Sequence, residues 1–311
     1  MSEFLGKVII AGGSGFLGQK LARSLISDGY EVVVLGRQDH GLKVAGRFVQ
    51  WDGKSLGGWA SELDESIALF NLAGRSVDCR YTRENKALIL NSRVDATRIL
   101  GQAVTDCRKP PLAWFNASTA TLYDDRRGDL PPHDEFSTTE APGFSEEVGR
   151  AWEKAFYTFE VPGVRQVSLR ISIVLGQESG AFPVLRRLTR LGLGGRQGPG
   201  NQWISWLHVD DWVGVTRFLM EREEVCGPVN LASPNPVTNA FFMREMRKRF
   251  APLGIGFPAP TPAIYLGTML VGTAPDLVLK SRKVVSRKLK VANYGFKFCK
   301  IEDALCSFAR K

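Results

Sequence analysis

The chain is poor in the residues from which metal centres and disulfide scaffolds are built. It has five cysteines and three histidines in 311 residues, and no CxxC pair. That argues against a zinc site and against a small secreted disulfide framework. Long apolar runs are absent too: the stretch from Pro262 to Ala274 comes nearest and is too short to span a bilayer. The opening Met1-Ser2-Glu3-Phe4-Leu5-Gly6-Lys7 lacks the basic start and apolar stretch of a secretory leader. A cytoplasmic protein without membrane contact is the expectation. Acidic charge is in deficit, with 32 Asp and Glu against 41 Lys and Arg, a net charge of +9. Part of the excess lies in Lys280-Ser281-Arg282-Lys283 and Arg287-Lys288-Leu289-Lys290. No nucleic-acid motif accompanies these runs, so they read as solvated surface, and nucleic acid ranks last among partners.

What is present is an ordinary globular composition, 44% hydrophobic and 23% charged. The length suits one large α/β domain, or a nucleotide domain with a smaller companion. Lys7-Val8-Ile9-Ile10-Ala11 is a short apolar run of the kind a parallel sheet buries. Phe16, Leu17, Leu21, Leu25 and Ile26 then recur at helical spacing up to Gly29, and Glu31 to Leu35 gives a second strand. Further strands are expected at Ile67 to Gly74, Ala113 to Ser118 and Val167 to Leu175. Helices are expected around Ala87 to Val104 and Trp152 to Phe159. The rhythm breaks in the Gly-rich stretch Leu191 to Gly200, and a helix from Val209 and a strand at Pro228 to Ala232 return to the main sheet. The predicted fold class is α/β, a Rossmann-type doubly wound parallel sheet with a smaller C-terminal substrate-side domain. Residues 1–180, with 203–232, form the first unit; 181–202 and 233–311 form the second.

The loop Gly12-Gly13-Ser14-Gly15-Phe16-Leu17-Gly18 follows a strand and opens an apolar helix, the setting a dinucleotide fingerprint requires. Gly12 permits the sharp turn, Gly15 lets backbone approach the pyrophosphate, and Gly18 lets the helix close on the sheet. A tight turn without a ligand is the competing explanation, but three glycines at that spacing each weaken regular structure. NAD-binding chains usually carry Asp or Glu at the end of the second strand, for the ribose hydroxyls. Here Gly36-Arg37 stands there, and an arginine suits the 2′-phosphate of NADP(H), which is the cofactor expected.

These motifs resemble one family when taken in order. GGSGFLG, Asn71-Leu72-Ala73-Gly74, Tyr81-Thr82 through Ser92-Arg93, Trp152-Glu153, Trp206 to Asp211, and Gly227 to Leu231 followed by Pro234 to Asn239 look like the atypical extended short-chain dehydrogenases/reductases of the NAD-dependent epimerase/dehydratase kind. Members of that group end in a short region of unknown function, matched here by about Pro258 to Ala309. The resemblance implies a nucleotide held by the glycine loop, Arg37, Leu72, Ala73, Gly74, Ala117 and Ser118. It places Thr119 at the hydroxyl that orients a substrate carbonyl.

One part of the family pattern is missing. Alignment on Glu153 puts Ser145 and Gly149 where the family has a catalytic tyrosine and lysine four residues apart. An alcohol is far less acidic than a phenol, and glycine offers no charge. Tyr123 and His208 are the alternative proton donors, each with a packing or backbone-bonding role as its competitor. Asp210 or Asp211 is expected to cap the helix that follows. Arg93 and Lys86 face the cleft in this fold and either hold an anionic substrate or are solvated. Trp203, Trp206, Trp212 and Phe182 are candidates for an apolar pocket, with at least one expected in the core.

Two functional readings follow. The first is an NADP(H)-dependent oxidoreductase or epimerase-like enzyme acting on a small carbonyl or sugar-like substrate. It predicts that Thr119, Tyr123 and His208 converge on the nicotinamide. The second is a catalytically silent NADP(H)-binding redox sensor or partner-binding module. Self-association is compatible with either and marked by no motif.

Overall fold

Strands that are apolar on both sides are stable only between two layers of helix. The computed structural model describes residues 5–37, 44–271 and 274–309. The chain runs β1 (Lys7–Ala11), α1 (Phe16–Ser27), β2 (Glu31–Gly36), β3 (Arg47–Gln50), β4 (Ser66–Asn71), α2 (Arg83–Asp106), β5 (Ala113–Thr119), α3 (Phe144–Tyr157) and β6 (Arg165–Ile171). There follow β7 (Ile173–Leu175), α4 (Ala181–Arg190), β8 (Trp203–Ile204), β9 (Trp206–His208), α5 (Val209–Glu221) and β10 (Gly227–Leu231). The chain ends with β11 (Val237–Thr238), α6 (Asn239–Phe250), α7 (Thr261–Val271), α8 (Asp276–Leu279), α9 (Arg287–Val291) and α10 (Ile301–Ala309). Seven strands form one sheet in the order β10-β6-β5-β4-β1-β2-β3, with every pairing parallel.

The two faces of β1 show the period-two logic. Val8 and Ile10 join Leu21 and Leu25 of α1 and Trp212 and Val215 of α5 in one apolar layer. Ile9 and Ala11 join Leu100 of α2 and Phe156 of α3 in the other. A third cluster unites Phe182, Trp206, Phe242, Met246, Leu305 and Phe308, and forms the core of a smaller region built from α4, α6 and α10. Trp206, Trp212 and Phe182 are therefore core residues, all fully buried.

The structure departs from the sequence reading at four places. The apolar run Val167 to Leu175 is two strands: β7 leaves the main sheet to pair with β9. The break is at Ser172, whose amide and hydroxyl both donate to the Leu231 carbonyl, at 3.1 and 2.7 Å. Strand β3, unanticipated, adds an edge beside β2. In the C-terminal segment, Leu289, Tyr294 and Phe296 pack on the main-sheet core. The run Lys280 to Lys283 is not solvated: Ser281 and Lys283 are buried, and the Lys283 ammonium donates to the carbonyls of Gly128 and Leu130. A lysine there satisfies loop carbonyls that water would otherwise have to reach. No helix among the described residues is long and apolar enough to cross a membrane.

Candidate functional site

The connection from β1 runs to β2 on one side and that from neighbouring β4 to β5 on the other, so the strand order reverses between β1 and β4, the place where open α/β sheets form their ligand crevice. Gly12 turns there with φ +72°, and a Cβ on it would stand 2.8 Å from the Ala73 Cα and N. The amide of Gly12 donates to Leu35 O and that of Leu72 to Ala11 O, both at 2.8 Å. A Cβ on Gly18 would lie 2.6 Å from the Gly13 Cα, so only glycine allows α1 to sit this close to its own loop. Gly15 differs: a Cβ there would meet only Gly12 O, at 3.5 Å, and Ser14 and Gly15 are exposed. Helix α1 begins at Gly15 with no side-chain cap and no acidic residue in its first turn. Its free N–H groups and partial positive charge are left for an anion. Phe16 lies against Gly176, where a Cβ would come within 2.3 Å of the ring. Trp212 Nε1 donates to the Leu17 carbonyl at 3.2 Å, which ties the loop's helix to α5. Arg37, at the end of β2, is exposed and meets no hydrogen-bond or ion-pair partner among the described residues.

The neighbouring strand ends are held by buried polar networks. Asn71 Nδ2 donates to Asn116 Oδ1 (2.7 Å) and Thr97 Oγ1 (3.0 Å), and its Oδ1 accepts the Ala73 amide (3.1 Å). The turn Leu72-Ala73-Gly74 is thereby fixed beside Gly12. Asn116 Nδ2 closes on the Ala117 carbonyl at 2.8 Å. Ser118 donates to Glu153 Oε1 (2.6 Å), which with Oε2 takes Nε and Nη2 of Arg170, both at 2.8 Å.

The proton-donor candidates are not brought together. The Tyr123 hydroxyl is fully buried, donates to Asn230 Oδ1 and accepts from Arg170 Nη1, both at 2.8 Å. Burial pushes its phenol up to about 12. His208 lies between Phe298 and Phe308 in the small region, its Nδ1 accepting the Asp210 amide at 3.0 Å and its Nε2 3.1 Å from Ser307 Oγ. Burial lowers it to about 4. His208 itself caps α5, the role expected of Asp210 or Asp211. Asp211 instead accepts the amides of Lys297 and Phe298. Both candidates are thus corrected to structural groups: each is enclosed by neighbours that use its polar atoms. Thr119, by contrast, stands half-buried at the strand end, accepting the Thr121 amide at 3.1 Å. A Cβ on Gly149 would lie 2.7 Å from Leu122 Cδ2 and 3.0 Å from Thr119 Cγ2. Helix α3 approaches so closely that any side chain at this position would require Leu122 to shift.

A second group of polar residues gathers where α3 begins, and it takes in Ser145, Arg93 and Lys86 of the sequence reading. Tyr81 stacks edge-on to Phe144, with ring centroids 5.1 Å apart, beside Ser145. Burial raises its phenol, and the Ser145 hydroxyl and Arg93 pull it partly back. Arg93 packs on Gly74 and donates to Arg75 O and Ile89 O; burial pushes its guanidinium down to about 10. Lys86 is exposed above the Phe144 ring. Glu146 is buried and paired with Lys280 at 2.6 Å. The one sequence signal for Tyr81 was its place in the family-like segment; nothing local marked Glu146, and Arg282 was read with its basic run as solvated surface.

The fold and crevice define a doubly wound α/β protein with the layout of a dinucleotide-binding site. The chain belongs to the NAD-dependent epimerase/dehydratase family, whose model matches residues 8–232. Residues 259–308 match a domain of unknown function, DUF1731. It is 30% identical over 300 residues to the epimerase family protein YfhF of Bacillus subtilis, covering 96% of each chain. Among solved structures it is similar to the human epimerase family protein SDR39U1, crystallised with NADPH: TM-score 0.84, 26% identity, 98% of this chain and 99% of that one. It is also similar to a nucleoside-diphosphate sugar epimerase from Corynebacterium glutamicum: TM-score 0.77, 27% identity, 97% of this chain and 57% of that one.

Proposed function

We propose that the protein binds NADP(H) and acts as an oxidoreductase or epimerase on a small carbonyl or sugar-like substrate. The observation that carries this reading is the end of β1 at the switch point: an uncapped helix start, the open face of Gly15 and, at the end of β2, an exposed Arg37 without a partner among the described residues. Gly12 to Gly18 would hold the pyrophosphate, and Arg37 the 2′-phosphate. Leu72, Ala73, Gly74, Ala117 and Ser118 would form the wall toward the nicotinamide. A bound nicotinamide supplies hydride transfer. Thr119 would orient the substrate carbonyl, and the residues of the smaller region would close over the substrate. The NADPH in the human relative's structure supports the phosphorylated cofactor.

A second reading, NADP(H) binding without turnover, is favoured by Ser145 and Gly149, which bring neither a phenol nor an ammonium to α3, and by the close contact of Gly149 with Leu122. Calorimetric titration with NADPH and NADH tests the shared part. NADPH is expected to bind tighter, and Arg37→Ala to weaken it by about 10–100-fold, with NADH unaffected. Equal binding of both cofactors by the native chain would remove the 2′-phosphate argument. Oxidation of bound NADPH by members of a carbonyl panel then separates the enzyme from the silent binder.

A further inference from the structure

Arg282 is an anomaly on any structural account. Its side chain is 12% exposed, and its Nε and Nη1 are buried without a hydrogen-bond partner among the described residues. The nearest carboxylate, Glu146, has its Oε1 4.0 Å from Nη2 and in contact with Lys280 at 2.6 Å, while its Oε2 is itself buried without a hydrogen-bond partner among the described residues. Burial lowers the Arg282 guanidinium, and Glu146, Asp125, Asp276 and the Tyr81 phenol are the groups whose fields reach it. The Tyr81 hydroxyl is likewise buried: the Ser145 hydroxyl stands beside it, but no partner among the described residues meets it in full hydrogen-bond geometry. A buried cation and phenol with unused donors cost free energy unless something accepts from them.

Their position gives that something a place. Ser145, beside Tyr81, is one helical turn before Gly149 on the same face of α3, and Gly149 abuts Thr119. Arg93, also near Tyr81, packs on Gly74 of the crevice wall. Tyr81 therefore stands near Thr119 and Gly74, and Arg282, from the C-terminal segment, reaches the same start of α3 at Glu146.

We propose that Arg282 and Tyr81 hold an anionic group of the substrate, a carboxylate or a phosphate, at the start of α3. This deepens the functional reading above and rests on it for the word substrate; the anion site itself stands on the two unsatisfied side chains. Arg282 supplies the charge, Tyr81 a neutral donor, and Glu146 with Lys280 fixes the wall. The substrate class becomes small carbonyl compounds bearing an acid group near the reacting carbon.

The test titrates the full chain with malonate and, separately, inorganic phosphate at constant ionic strength, with and without saturating NADPH, by calorimetry and thermal unfolding. One anion is expected to bind per chain in the millimolar range with NADPH present. Arg282→Gln should weaken it at least about tenfold, and Tyr81→Phe a few-fold, with NADPH affinity unchanged in both. Whichever anion binds tighter identifies the group. In anion-free buffer R282Q should be no less stable than the native chain, because it removes an unpaired buried charge. Should R282Q fail to fold, that expectation fails, and Y81F decides whether the anion site survives. Binding that vanishes on NADPH saturation, persists undiminished in R282Q, or is absent through the millimolar range overturns the proposal. Failure of NADPH to bind would instead defeat the cofactor reading, leaving the anion arm to be judged by the variants.

Discussion

The glycine loop and the smaller region solve their structural problems in opposite ways. The loop is made of main chain from one stretch of sequence, its shape dictated by the absence of side chains at Gly12 and Gly18. The smaller region and its margin with α3 are made of side chains from distant segments. Tyr81, Glu146 and Arg282 meet there, as do His208, Phe298 and Phe308. A main-chain site tolerates change around it but not within it; a side-chain site depends on every contributing segment. The variants below separate the two.

The largest effect is expected in the side-chain core. Burial holds His208 near pKa 4, against about 6.5 for an unfolded histidine. The folded state thus binds fewer protons than the unfolded state between those values, so stability rises with pH there. The contribution is complete above about pH 6.5 and is lost as pH falls toward 4, a loss of about 3 kcal/mol. Urea unfolding from pH 7 to pH 4 measures it. His208→Gln should flatten that part of the profile, and an unchanged slope would show that other groups set it.

This asymmetry also explains what the sequence could reveal. Strand-glycine-helix-strand is local, so the turn at Gly12 and the close packing at Gly18 were legible from spacing and the flanking pattern. The parallel sheet followed from the alternation of apolar runs with helical periods. The split at Ser172 was hidden because an apolar run looks the same whether or not it changes sheet; the cause is the Leu231 carbonyl, about sixty residues away. Tyr123 and His208 looked free to titrate because the partners that consume them, Arg170 with Asn230 and Phe298 with Ser307, are equally remote. The basic run at Lys280 looked solvated, yet the carbonyls that bury Lys283 come from Gly128 and Leu130. Only a resemblance could draw attention to Tyr81, and it carried no geometry.

Gly18→Ala probes the main-chain site. The added methyl would fall 2.6 Å from the Gly13 Cα, a backbone atom that cannot rotate away. Overpacking of this kind costs about 1–3 kcal/mol, and the loop bears it directly. NADPH affinity is expected to fall by about 10–100-fold, while malonate binding near Arg282 is retained. Parallel loss of both ligands would mean that the two regions are one cooperative unit.

The smallest effect lies at the junction. Thr82 caps α2, its hydroxyl accepting the Asn85 amide at 3.2 Å, and it directly follows Tyr81. Thr82→Ala should cost about 1 kcal/mol of stability, the usual value of a lost cap. The turn it loosens carries Tyr81 but not the glycine loop, so anion affinity should drop a few-fold while NADPH affinity stays at the native value. If NADPH weakens as much as malonate, Tyr81 and the crevice wall at Gly74 move together through Arg93. The separation between a main-chain site and a side-chain site would then hold for the glycine loop alone.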